Sequence, residues 1–321
     1  MRAIRRSVVD TLGIVPSWLA LSWLGHLRET HNIRFLPRTR SLCQRIGVYP
    51  IIDHYYEPLI NRQELQHQHA RCIAAVDWRY ESQWHTVETF CWRDELAELP
   101  AERDNASTNA FGYYLHNGYF GAGDADVYYS LIRKHKPARI IEIGSGHSTR
   151  LALTALARNA AEGSPGRMTC IEPYREAEWL RESDVEHVKS PVEQLELDRF
   201  ETLGDGDMLF IDSSHIIRPR GDVLFELQRI LPVLAPGVLI HIHDIFSPSD
   251  YPPEWLVDRM HFWNEQYLVE SFLMFNQHFE VLCAVQSLLQ DDVERLEAAL
   301  PRFKERLGDI GATSLWIRKV S

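Results

Sequence analysis

Two short motifs in this 321-residue chain carry the side chains best suited to chemistry: D-x-x-H at Asp212 and His215, and H-x-H-D at His241, His243 and Asp244. Carboxylates and imidazoles at this spacing can move a proton near neutral pH or ligate a divalent ion. Both motifs close short apolar runs, Met208 to Asp212 and Val238 to His243, which read as buried strands. Strand alternation sends His241 and His243 to one side and Asp244 to the other, unless the strand has already turned into its loop. Four such groups at one edge also suit hydrogen-bonded loop anchoring. His215 has its own bland alternative, capping a helix or pairing with a carboxylate.

A third stretch, Arg139 to Thr149 (RIIEIGSGHST), places an apolar run, an acid and two glycines ahead of the helix-forming LALTALARNAA. Strand, glycine turn and helix start in that order form a nucleotide-sized pocket at the carboxyl edge of a parallel sheet. The spacing is not G-x-G-x-x-G, which turns the reading from NAD towards S-adenosylmethionine. Glu142, Gly144, Gly146 and Ser148 are expected at its methionyl part. Glu172 in CIEPY, at the tip of the next strand, is expected at the ribose hydroxyls. SPVEQ after the third strand offers a rest for adenine. The glycine-rich loop holding Tyr119 and Phe120 is placed to cover the ligand.

These stretches need a frame to bring them together. Strands are expected at 139–143, 168–172, 185–189, 208–212 and 238–243, each followed by a helical or turn segment, which implies right-handed crossovers and a parallel sheet. HFEVLCAV and SLWIRKV read as two last strands that pair antiparallel. HDIFSPSDYPPEW reads as a loop over the site, with Asp250 and Tyr251 near an acceptor and a helix beginning at Trp255.

On EIGSGHST, CIEPY, FIDSSH and the closing strand pair, the region from 111 to 321 resembles class I S-adenosylmethionine-dependent methyltransferases. More narrowly, it is similar to O-methyltransferases of the catechol and macrocin type. The resemblance implies a Rossmann-like, seven-stranded, mostly parallel sheet with an antiparallel last strand. It also implies a metal held by Asp212 on strand four and by His243 and Asp244 on strand five, with His215 where catechol-type relatives place a lysine base. An imidazole at His243 replaces an oxygen ligand, so magnesium, manganese, iron and zinc all stay open as the ion. The expected reaction is methyl transfer to a small hydroxylated metabolite, oxygen preferred, with His215 and Asp212 catalytic. Other uses of the cofactor (an N-methyltransferase or a cyclase), an iron-dependent oxygen-using enzyme on this fold, and a non-catalytic partner protein are the competing readings.

Composition narrows the class. With 45% hydrophobic residues the chain can bury a large core, and a formal net charge of -11 gives no electrostatic reason to bind nucleic acid. Five cysteines without a C-x-x-C pair fit reduced thiols in a cytoplasm. Residues 1–110 show no strand alternation and are expected to form a mostly helical accessory, cap or dimerisation segment, bounded by LPAERDNASTNA at 99–110. The opening MRAIRRSVVDTLGIVPSWLALSWLG reads as an amphipathic or buried helix with no stable membrane insertion, and peripheral membrane contact is the alternative. The aromatics of GVYPIIDHYYEPL and VDWRYESQW are read as packing accessory helices onto the main domain, or as a wall of the substrate site.

Overall fold

The computed structural model of the chain describes residues 2–29, 35–52, 54, 56–66, 71, 73–103, 111–174, 185–306 and 312–321. Asp53, Tyr55, Cys72 and residues 104–110 of the expected boundary lie outside them. The chain divides into two compact units, residues 1–68 with 253–262, and residues 69–252 with 263–321.

The first unit contains α1 (Arg2–Glu29), α2 (Pro37–Ile46) and α3 (Arg62–Gln66). Leu27 and Cys43 are buried, and Arg28 pairs with Glu57. The remainder of α1 differs from the buried helix that was one expectation: Leu12, Trp18 and Trp23 are 76%, 65% and 60% exposed. Tyr49 and Tyr56 are also exposed.

The second unit begins with α4 (Tyr80–Glu88) and α5 (Arg93–Ala97), followed by α6 (Asp124–His135). Its sheet has the order β3-β2-β1-β4-β5-β7-β6. The strands are β1 (Arg139–Ile143), β2 (Arg167–Ile171), β3 (Glu186–Val188), β4 (Met208–Ile211), β5 (Leu239–Ile242), β6 (Phe279–Ala284) and β7 (Leu315–Lys319). β1 to β5 pair in parallel, and β7 runs antiparallel between β5 and β6. Every strand falls within one residue of its expected run. The seven-stranded architecture is therefore the one the sequence implied.

The central strands are apolar on both sides because both sheet faces are covered. Phe210 and Met208 face a cluster with Trp84, Tyr128 and Trp316, while Leu209 and Ile211 face Phe200, Val223 and Ile230. Covering helices include α7 (His147–Ala161) and α8 (Asp222–Phe225), which continues through a π turn at Glu226–Ile230. Further on come α9 (Glu265–Leu273), α10 (Val285–Asp291) and α11 (Val293–Ala299).

Two expectations need correcting. Residues 73–103 pack inside the sheet unit, so the break falls near residue 69 instead of 110. Trp84 and Leu96 are 1% and 2% exposed, and the Ala284 N–H donates to Gln83 Oε1 at 2.7 Å. Helical residues that insert into a core carry no strand alternation, so the sequence pattern misassigned them. The helix expected from Trp255 is also broken. It forms only a π turn, Glu254–Asp258, and Met260 then adopts a left-handed backbone with φ 53°. The N–H groups of Asn264 and Glu265 bond the His215 carbonyl at 3.0 and 3.2 Å, fixing the start of α9 there.

Candidate active site

The carboxyl ends of β2, β1, β4 and β5 lie side by side, and the chain reverses its strand order between β1 and β4, where open parallel sheets bind ligands. The turn after β1 is tight: Gly144 has φ 106°, and a Cβ there would meet the Asp212 carbonyl oxygen at 2.7 Å. Gly144 thus brings the glycine turn and the tip of β4 into contact. Beside them a cleft of about 240 Å³ is lined by Gly144, Glu172, Pro191, Val192, Asp212 and Ser213. Glu172 and, from the SPVEQ segment, Pro191, Val192 and Glu193 therefore line the same cleft.

Glu142 is placed differently. It is fully buried, accepting from the Ser148 hydroxyl and, at 2.7 Å, from Thr149 Oγ1. Burial pushes its carboxyl up to about 7 against those hydroxyl bonds. Glu142 and Ser148 hold the turn from beneath, with both carboxylate oxygens occupied. Gly146 precedes α7 and its N–H donates to Thr149 Oγ1 at 2.9 Å, which fixes the helix start. The covering loop is also split. Tyr119 is 79% exposed and stacks on His147, whereas Phe120 is buried against Phe210 and His243, with ring centroids 5.7 and 5.3 Å away. Phe120 is floor, not cover, because an apolar ring gains more by closing the core under β4 and β5 than by lying in solvent.

The histidine-rich edge is assembled by two breaks in regular backbone. β5 ends at Ile242 and Asp244 turns left-handed with φ 55°, which swings its carboxylate to the side of His243. His215 is left-handed as well, with φ 59°. Its loop is clamped from both flanks. Ser214 Oγ donates to Asp222 Oδ1 at 2.7 Å, and the Ile217 N–H donates to Asn264 Oδ1 at 2.6 Å.

Within this edge His215 Nδ1 donates to Glu265 Oε2 at 2.8 Å, leaving Nε2 aimed at Asp212 Oδ1 (3.3 Å) and Asp244 Oδ2 (3.5 Å). His243 Nδ1 lies 3.5 Å from Asp244 Oδ2 and 3.8 Å from Asp212 Oδ1, and its Nε2 faces Asp124 Oδ2 at 3.6 Å, beyond hydrogen-bonding range. Burial alone would lower both imidazoles, but the surrounding carboxylates outweigh it and hold both well above the ordinary histidine range. The same imidazoles overcome the burial of Asp244 and keep its carboxyl at about 2. His241 is the exception. It stacks on Phe210 at 3.9 Å and shares a 2.8 Å hydrogen bond with Ser314, and burial drives its pKa well below the ordinary value. It is a core histidine.

Asp212, His215 and Asp244 offer three ligand atoms within 4.8 Å of one another. This donor set, with His243 Nδ1 3.5 Å from Asp244 Oδ2 and 3.8 Å from Asp212 Oδ1, fits a divalent cation bound through oxygen and imidazole. The sequence reading missed Glu265, which lies 50 residues beyond His215. It also missed Asp124, whose carboxylate accepts from the N–H groups of Thr313 and Ser314 at 3.0 and 2.8 Å and so ties α6 to the approach to β7.

The chain has similarities to known proteins. Residues 141–245 match the family model described as a methyltransferase domain. An uncharacterized protein of Archaeoglobus fulgidus is 27% identical over 179 residues, 52% of this chain and 79% of its own length. An O-methyltransferase from Bacillus cereus in complex with S-adenosylhomocysteine aligns at TM-score 0.34 and 15% identity, over 74% of this chain and 91% of that one. The 1,6-didemethyltoxoflavin-N1-methyltransferase of Burkholderia thailandensis aligns at TM-score 0.33 and 16% identity, over 84% and 94%. The strand order is that of the Rossmann-like class I methyltransferase fold, and residues 141–245, from β1 to the turn after β5, are similar to a methyltransferase domain.

Proposed function

We propose that the chain methylates a hydroxyl oxygen of a small metabolite, with His215 as general base. The observation that carries this is the orientation of His215: Glu265 holds Nδ1, and Nε2 is presented to the cleft edge beside Asp212, whose carbonyl abuts the cofactor turn at Gly144. Transfer from a sulfonium needs an in-line acceptor and removal of its proton, so positioning and one base suffice. Glu172 takes the ribose hydroxyls, the turn at Gly144 and Gly146 gives the methionyl part close backbone access, and Pro191 and Val192 lie against the adenine. Asp212, Asp244 and His243 would hold a divalent cation, which supplies a lowered acceptor pKa when bound. The carboxylates around His215 favour its charged form, so it must lose a proton before it can accept one; a cation held by Asp212 and Asp244 would offset those carboxylates and favour that loss, and Glu265 on Nδ1 fixes the tautomer with Nε2 as the acceptor. A chain of net charge -11 supports a small acceptor over a nucleic acid. The free thiols of Cys43, Cys91, Cys170 and Cys283 support a cytoplasmic setting.

The test is a methyl-transfer assay with isotopically labelled cofactor on a panel of hydroxylated and aminated small molecules, products read by mass, with wild type and His215→Ala compared. Turnover undiminished in His215→Ala would remove the base assignment. The 4.8 Å cluster favours a second reading, in which His215 is a metal ligand. Elemental analysis separates the two: metal retained by His215→Ala and lost by His243→Ala supports the base, and the reverse supports the ligand.

A further inference from the structure

Residues 1–47 carry eight arginines, at positions 2, 5, 6, 28, 34, 38, 40 and 45, against two acidic residues, Asp10 and Glu29, in a chain whose net charge is -11. Among the described residues, the same stretch holds the helix with the most exposed large apolar side chains. On α1, Leu12, Ile14, Val15, Trp18, Leu19, Leu21 and Trp23 are all between 58% and 76% exposed. At about 100° per residue these side chains spread over more than half of the helix circumference. On α2, Leu42 and Ile46 are exposed beside Arg38 and Arg45. Exposure of contiguous apolar surface on this scale marks a site that something covers.

We infer that α1 and α2 dock on an anionic lipid surface, with α1 lying in the headgroup layer. Charge selects this occupant: a second copy of the segment would bring two arginine-rich, acid-poor stretches together, whereas phosphate headgroups complement them. Length sets the depth. The uncharged run from Thr11 to Gly25 rises about 22 Å as a helix, short of the roughly 30 Å of a bilayer core. In keeping with this, no helix among the described residues is long and apolar enough to cross a membrane. Trp18 and Trp23 are the side chains that favour the boundary between headgroups and acyl chains.

Co-sedimentation of the full chain with vesicles tests this, using phosphatidylcholine alone and phosphatidylcholine with about one third phosphatidylglycerol. The expected result is binding to the anionic vesicles, weakened about tenfold by raised salt or by Arg38→Glu with Arg45→Glu. Trp18→Glu with Trp23→Glu should abolish binding while leaving cofactor affinity unchanged, which shows that the catalytic unit is intact. Equal binding to both vesicle types, or none, overturns the inference. A particle of two chains that the tryptophan variant converts to one, without vesicle binding, assigns the surface to a second copy instead.

Discussion

At the scale of single residues, His215 and Glu265 share a 2.8 Å hydrogen bond, and under the proposed function the two substitutions should separate cleanly. His215→Ala should lower kcat about 10²- to 10⁴-fold with cofactor affinity unchanged, measured by single-turnover kinetics and calorimetry. Glu265→Gln keeps the shape and loses the charge, and should cost about tenfold to a hundredfold in kcat with KM nearly constant. Glu142 allows a test by pH. Its carboxyl titrates at about 7 in the fold against an ordinary 4.5. Between those values the folded chain holds a proton that the unfolded chain has released, so this contribution is fully present below the unfolded value and is lost as pH rises through about 7. The stability of Glu142→Gln relative to wild type should rise by on the order of 3 kcal/mol across that window. A flat difference in denaturant unfolding at the two ends would show Glu142 to be ionised throughout. Asp212, His215, His243 and Asp244 were legible because strand tips display their side chains where motifs predict. Glu265 was not, because its partner is reached only through a fold that brings the start of α9 beneath the β4 loop.

At the scale of elements, the turn between β1 and α7 is the part least tolerant of change. Gly144→Ala would force a Cβ against the Asp212 carbonyl in a left-handed conformation. Strain of about 1–3 kcal/mol is expected, together with a weaker cofactor Kd, checked by thermal unfolding and titration with S-adenosylhomocysteine. Six of the seven strands could be read from the sequence because largely apolar runs of four to six residues bounded by turn formers have one natural interpretation in an alternating chain, and β3, only Glu186–Val188, is read from its place in that alternation. The helix expected from Trp255 shows the opposite case: its aromatic spacing is helical, but a left-handed Met260 and the claim of the His215 carbonyl on two N–H groups override local preference.

At the scale of the whole molecule, the boundary between units makes a prediction about truncation. A chain beginning at residue 71 should keep S-adenosylmethionine binding, because everything the sheet unit buries is retained. A chain beginning at residue 111 lacks Trp84, Val87, Leu96 and Leu99, all buried in the sheet unit's core. Losing one large buried aromatic costs about 3–5 kcal/mol, a large part of a typical domain's 5–15, so the shorter chain should fail to unfold cooperatively. Calorimetric unfolding of the two fragments decides it. Sequence pattern could not place this boundary, since helices that belong to a core and helices that stand outside it share one periodicity.

The position of β7 has a consequence in time. It inserts between β5 and β6, and just ahead of it Thr313 donates to Asp244 while Ser314 bonds His241. Until that late segment has been made, β5 keeps an unpaired edge and Asp244 lacks a neighbour that holds it in place. Catalytic competence should thus arrive as the last event of folding, in one step with closure of the sheet. A nascent chain halted before residue 312 would present an open, apolar β edge and no working site, a species for a chaperone to hold.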